Sequence, residues 1–166
     1  MKNTDKFLIG IVAGVALLVV VAFAVALLRP KPAYQPEDTP EGVTHNYLFA
    51  LQEKDYERAY TYLSPTLAGY PDSSEEFVDN IDEYQWSFGY GNDSTTLEVE
   101  STDITGSRAV VTVRETTFYE GGLFDSGQYS NTFKVKLRLN APTGTWQITE
   151  SDSYWVWCWN DNEGCS

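Results

Sequence analysis

Histidine, cysteine and positive charge are scarce in this sequence. Its 166 residues hold one His and two Cys, and 11 Lys+Arg stand against 24 Asp+Glu, a formal net charge of −13. The acidic balance argues against a nucleic-acid surface, which needs a basic face to neutralise phosphates. One histidine, with Cys158 and Cys165 as the only cysteines, leaves no zinc-finger framework. The single methionine is Met1, so no Met-rich surface can be built. No motif fixes a reaction, and neither a cofactor nor a metal is expected. The segment Asn160-Asp161-Asn162-Glu163 lacks the spacing of a calcium loop.

A long stretch without charge comes next. Residues 7–28, FLIGIVAGVALLVVVAFAVALL, contain no charged or strongly polar side chain. As a helix they span about 33 Å, enough for a bilayer core, and they lack the polar stripe of a soluble helix. Gly10 and Gly14 have the GxxxG spacing of helix-pairing faces. The flanking basic residues, Lys2 and Lys6 against Arg29 and Lys31, nearly balance and give little orientation. The cysteines give more. A Cys158–Cys165 pair enclosing six residues persists mainly in an oxidising compartment. The expected order is a cytoplasmic N-terminus (1–6), a transmembrane helix (7–28) acting as a signal anchor, a proline-rich stalk (29–39) and an extracytoplasmic domain. The alternative is a cleaved signal peptide, with A-x-A sites at residues 22–24 and 24–26. The apolar run exceeds the usual signal core and favours the anchor.

Beyond the stalk, apolar residues first recur at helical and then at strand spacing. Thr39 reads as an N-cap before Pro40, and Val43, Tyr47, Ala50 and Leu51 form one helical face. Tyr56, Ala59, Tyr60 and Leu63 form a second, ending at Ser64-Pro65. Ser73 and Glu76 have capping-box spacing ahead of Phe77 and Ile81. From Tyr84 the period changes to two, through Tyr84, Trp86, Phe88 and Tyr90, then Leu97 and Val99, then Arg108 to Tyr119. The clearest strand is Tyr129 to Asn140, with Phe133, Val135 and Leu137 on one face and Lys134, Lys136 and Arg138 on the other. Trp146 and Ile148 mark a last core strand. Helices followed by an antiparallel sheet define an α+β fold.

The helical patterns Val43-x3-Tyr47-x3-Leu51 and Asp55-Tyr56-x2-Ala59-Tyr60-x2-Leu63-Ser64-Pro65, with the closing Gly144-Thr145-Trp146-Gln147-Ile148, resemble the nuclear transport factor 2-like superfamily. Membrane-anchored exported bacterial proteins of unknown function are among its members. The resemblance covers residues 40–151. It implies three helices packed on a curved antiparallel sheet, with a cone-like cavity between them. Residues 152–166 depart from the family ending and add an aromatic tail with the Cys loop. Some members of the superfamily are enzymes with acid/base groups in the cavity, and others bind ligands or dimerise through the sheet, so fold alone does not assign function.

Candidate residues follow from strand parity. If Val111 and Val113 face the core, so do Glu115, Thr117 and Tyr119, with Tyr129 and Asn131 on the facing strand, a candidate lining for a small-molecule ligand. A carboxylate there could act as a general base. Glu115 is a weak catalytic candidate only, because no partner group is evident, and a solvated Glu115 is the plainer reading. His45 sits off the first helical face and reads as a boundary residue. Arg114, Lys134, Lys136 and Arg138 gather on the outer sheet face, either as solvated charge or as a docking surface for a partner or a homodimer. Trp155, Trp157 and Trp159 would share one face of an extended tail, capping the core or forming an exposed interaction platform. Three functions remain open: a non-catalytic anchored binding domain, a cavity enzyme using Glu115, and a structural subunit of an envelope complex.

Overall fold

The computed structural model describes residues 2–28, 33–88, 95–122 and 125–165. It divides into two compact units, Met1–Ala33 and Tyr34–Ser166.

The first unit is one helix, α1 (Lys2–Leu28). Its window Phe7–Ala24 has a mean hydropathy of 3.0, long and apolar enough to cross a membrane. Among the described residues, no atom outside the helix's own neighbouring backbone lies within 4 Å of a Cβ placed at Gly10 or Gly14.

The second unit begins earlier than the helical pattern suggests. The segment from Tyr34, expected as stalk, is stitched to the helices behind it. Gln35 and Asn46 exchange two hydrogen bonds, of 2.7 and 2.8 Å, between the Gln35 backbone and the Asn46 amide. The Arg58 guanidinium lies 3.4 Å from the Tyr34 ring centre and pairs with Glu37 at 2.9 Å. The Tyr62 hydroxyl donates to the same Glu37 oxygen. These contacts fix the segment in place. Of the sequence-read stalk, residues 29–32 lie outside the described residues.

Three helices follow: α2 (Pro40–Gln52), α3 (Tyr56–Thr61) and α4 (Ser74–Glu83). Each begins with a side chain that satisfies a free backbone N–H. Thr39 accepts from Gly42, Asp55 from Arg58 and Ser73 from Glu76. The Glu76 carboxylate reaches back to the Asp72 N–H, one residue before the cap. Gly42 is required for packing, since a Cβ there would run into the Pro36 carbonyl.

The sheet is a four-stranded antiparallel meander, β1 (Thr95–Thr105), β2 (Arg108–Gly122), β3 (Asp125–Asn140) and β4 (Thr145–Ser151), in sequence order. One face, through Ala109, Val111, Val113, Phe133, Val135, Leu137, Trp146 and Ile148, is buried against the helices. The outer edge of β4 is covered by a short parallel bridge between Leu63 and Ile148, so its N–H and C=O groups are partly paired. This is an α+β fold.

Two stretches differ from the alternation reading. Gln85–Phe88 is a 3-10 turn, because Tyr84 closes α4 by donating its N–H to Asn80. Gly89 and Tyr90 lie outside the described residues. The tail is likewise not extended, and Trp157–Asn160 form a second 3-10 turn. That turn brings Trp155 and Trp159 together, ring centres 4.9 Å apart, and sends Trp157 outward. Trp159 is fully buried, stacks on Phe77 at 5.1 Å and donates its indole N–H to Asn80 at 2.9 Å. Trp157 is 57 % exposed and touches Tyr84 edge-on. Cys158 and Cys165 form a disulfide with Cα atoms 5.1 Å apart. Their loop lies against Gly69, where a Cβ would collide with the Cys158 carbonyl.

The same residue type thus has opposite roles two positions apart. Trp159→Ala should cost about 3–5 kcal/mol, as for large buried aromatics, and Trp157→Ala about 0.5 kcal/mol or less, as for surface positions. Chemical unfolding of the full chain measures both. Equal losses would contradict this placement of the tail.

Candidate functional site

Glu115 lies on the inward-facing parity of β2, opposite Leu97 and Asn131, and is half-buried. Its carboxylate already has a partner. The Tyr154 hydroxyl donates to Glu115 Oε1 at 2.7 Å. Tyr154 itself is buried, with its ring 5.6 Å from Phe133. Its backbone is held from two other sides: its N–H donates to the Ser87 carbonyl at 2.9 Å, and its carbonyl accepts from the Tyr47 hydroxyl at 2.7 Å. The φ of Tyr154 is +56°. A bulky residue adopts such a backbone only where its surroundings over-determine it, at a cost of about 1–3 kcal/mol.

The remaining sequence-predicted cavity residues spread outward along the hairpin. Thr117 is half-buried and faces Thr95, the two hydroxyls 3.3 Å apart. Tyr119 and Tyr129 are 54 % and 64 % exposed, and Asn131 is exposed. Tyr119 lies over Gly127, its directly opposed partner. Neither Tyr119 nor Tyr129 partners Glu115. The residue that does so comes from the tail, 39 positions away. No periodic signal links the two, and only the aromatic run at 154–159 marked that region as unusual. His45 is half-buried on α2 and stacks on Phe49 with ring centres 6.0 Å apart.

The outer sheet face carries Arg114, Lys134, Lys136 and Arg138, all exposed. Arg114 pairs with Glu100, and Lys136 Nζ pairs with Glu150 Oε1 at 2.7 Å. The Lys134 backbone N–H donates to Asp152 at 3.0 Å. Arg114 and Lys136 are thus the two cations of this set whose charge is paired. At one end of the face Arg108, absent from the sequence-read set, is the cross-strand partner of Arg138. Strand parity was the available signal, since 108, 110, 112 and 114 share a face. Beside this pair is a cleft of about 390 Å³.

No family model and no curated protein matches the chain. Several solved structures are similar to it at low identity. One is a provisionally named calcium/calmodulin-dependent protein kinase type II association domain from Thiobacillus denitrificans, with 12 % identity over 73 % of this chain and 95 % of that one, and a TM-score of 0.47. A second is a provisionally named dehydratase of the nuclear transport factor 2-like family from Streptomyces avermitilis, with 13 % identity over 66 % and 88 %, and a TM-score of 0.42. A third is a Mycobacterium tuberculosis protein solved with estradiol-17β-hemisuccinate, with 13 % identity over 68 % and 90 %, and a TM-score of 0.39. These likenesses carry no argument about chemistry. The chain is an α+β domain and, among the described residues, one apolar helix long enough to cross a membrane.

Removing the acceptor separates the roles of Glu115. Glu115→Leu leaves the Tyr154 hydroxyl without its partner and should cost about 1–3 kcal/mol. Glu115→Gln keeps a carbonyl acceptor and should cost less. Equal stability of all three proteins in chemical unfolding would contradict a positioning role for this contact.

The tyrosines set a limit at alkaline pH. Burial first, and the Glu115 carboxylate second, hold the Tyr154 phenol far above its ordinary value. Burial first, then Glu37, pushes Tyr62 up to about 12. The unfolded phenols lose their protons near pH 10 and the folded ones only higher. The stability from these groups is therefore complete below about pH 10 and is lost as pH rises toward the folded values. Unfolding midpoints should be level from neutral pH to about 10 and fall above it. A midpoint that stays level through pH 12 would contradict the shifts.

Proposed function

We propose that this chain is a membrane-anchored binding or interaction domain, held outside the cytoplasm by α1 and without a catalytic role for Glu115. One observation carries the reading. The carboxylate that a cavity enzyme would use is engaged by the chain's own tail, through the 2.7 Å bond from Tyr154. With its acceptor engaged by an intramolecular donor beside a buried aromatic segment, the carboxylate serves in this reading to seat that segment. The apolar length of α1 supports the anchor. The Cys158–Cys165 disulfide supports an oxidising compartment for the domain.

A second reading has one observation in its favour. A half-buried carboxylate bonded to a phenol on the inner sheet face is also an acid–base pair. Turnover that is abolished in Glu115→Gln while the fold is kept would establish it.

The anchored reading is tested in spheroplasts of a bacterial expression host. The membrane-extracted chain should have the mass of a protein that retains α1, and protease added outside should remove the domain. A mature chain starting at Val25 or Leu27, or a domain protected from outside protease, would overturn it.

A further inference from the structure

The outer end of the β2–β3 hairpin holds an arrangement that sheet stability opposes. Arg108 and Arg138 are direct cross-strand partners on one face, and both are exposed. Side chains so placed stand about 5 Å apart at Cβ, and like charges there are destabilising. On the same face Arg114 is answered by Glu100 and Lys136 by Glu150. Among the described residues, neither Arg108 nor Arg138 forms an ion pair.

The pair lines the cleft of about 390 Å³. That volume is in the range of small-molecule sites, about 300–1,000 Å³. Thr66, Leu67 and Asn160 also border it, and Thr149 and Val110 contribute from the sheet. Charge, hydroxyl and apolar surface therefore meet in one depression. Asn160 ties this border to the tail: its Oδ1 accepts from the Trp155 indole N–H at 2.6 Å, and its Nδ2 donates to the Thr149 carbonyl at 2.9 Å.

We propose that this cleft binds a doubly charged small organic anion of the phosphate-monoester class. Its phosphate oxygens would bridge Arg108 and Arg138, with the organic body along Leu67 and Val110. Two unneutralised guanidiniums match a charge near −2. A phosphate has enough terminal oxygens for two forked donors and a hydroxyl. Unpaired like charges that lower stability are kept where function uses them. The bounded volume favours a small molecule over a flat protein face. The inference gives a ligand class to the binding reading above and rests on it, but it requires neither the membrane anchor nor its orientation.

The test uses the full chain in a non-ionic detergent, with phenyl phosphate as probe and the Trp155 indole N–H and Thr149 amide resonances as readout. A saturable shift is expected. Arg108→Gln and Arg138→Gln should each weaken binding by about tenfold or more without lowering the unfolding temperature. Glu150→Gln should tighten it severalfold by releasing the Lys136 ammonium, a gain that a purely structural role would not produce. Benzoate, a monoanion of similar body, should bind markedly more weakly.

Absence of a saturable shift with phenyl phosphate overturns the proposal, as does a shift that both arginine variants retain. Benzoate binding as tightly as phenyl phosphate overturns the dianion assignment. Self-association that is lost in Arg108→Gln, with no phenyl phosphate shift, would give the arginines to the acidic surface of a second copy and overturn it too. Failure here leaves the protease and mass result for the anchored domain unchanged, so the two readings fail separately.

Discussion

Tyr154 is the residue on which the rest of the domain depends. Its amide, carbonyl and hydroxyl are bonded to the turn after α4, to α2 and to β2, respectively, at Ser87, Tyr47 and Glu115. Three elements distant in sequence are joined at one side chain and its backbone. The positive φ is the local cost of that arrangement. Immediately beyond it the chain delivers Trp155, Val156, Cys158 and Trp159 into the core. The disulfide then closes its loop against Gly69, whose amide donates to the Trp159 carbonyl. In the chain-entropy account, a ring of this size contributes roughly 2–3 kcal/mol. Without the tail, Phe77 and Asn80 on α4 would lose the indole they pack against and bond.

Charge is distributed with the same separation of roles. Residues 32–166 carry seven basic and 23 acidic side chains. The exposed side of α4 presents Glu75, Asp79 and Asp82 at helical spacing. On the outer sheet face Arg114 and Lys136 have acidic partners, and Arg108 and Arg138 stand as direct cross-strand partners beside a cleft. The inner side of the sheet is occupied by the chain's own aromatics near Tyr154, whereas the outer side leaves a charged depression open to solvent.

What could be read in the sequence was whatever is written locally. The caps at Thr39 and Ser73 are single side chains bonded to an N–H three residues on, and their spacing states the geometry. The alternation from Phe133 to Leu137 states which face of β3 is buried. The uncharged run in α1 states its own length. Alternating aromatics misled at 84–88 and 155–159, because period two in aromatic residues does not require a strand partner. At the first stretch the end of α4 takes over the backbone bonding, and at the second the fold turns on Asn80, 79 residues from Trp159. The Glu115 partner and the Arg108–Arg138 pairing are products of long-range register, so neither could be read from spacing within one segment.

The central claim is that the tail is an integral part of the domain, seated through Tyr154. Amide hydrogen exchange in the full chain measures this most directly. The Tyr154 amide, bonded to Ser87, and the Gly69 amide, bonded to Trp159, report on the two ends of the seat. Both amides should exchange only through global unfolding, at the same slow limit as Val135 in the middle of β3. Exchange of Tyr154 and Gly69 at the rate of a free loop, while Val135 remains protected, would contradict it.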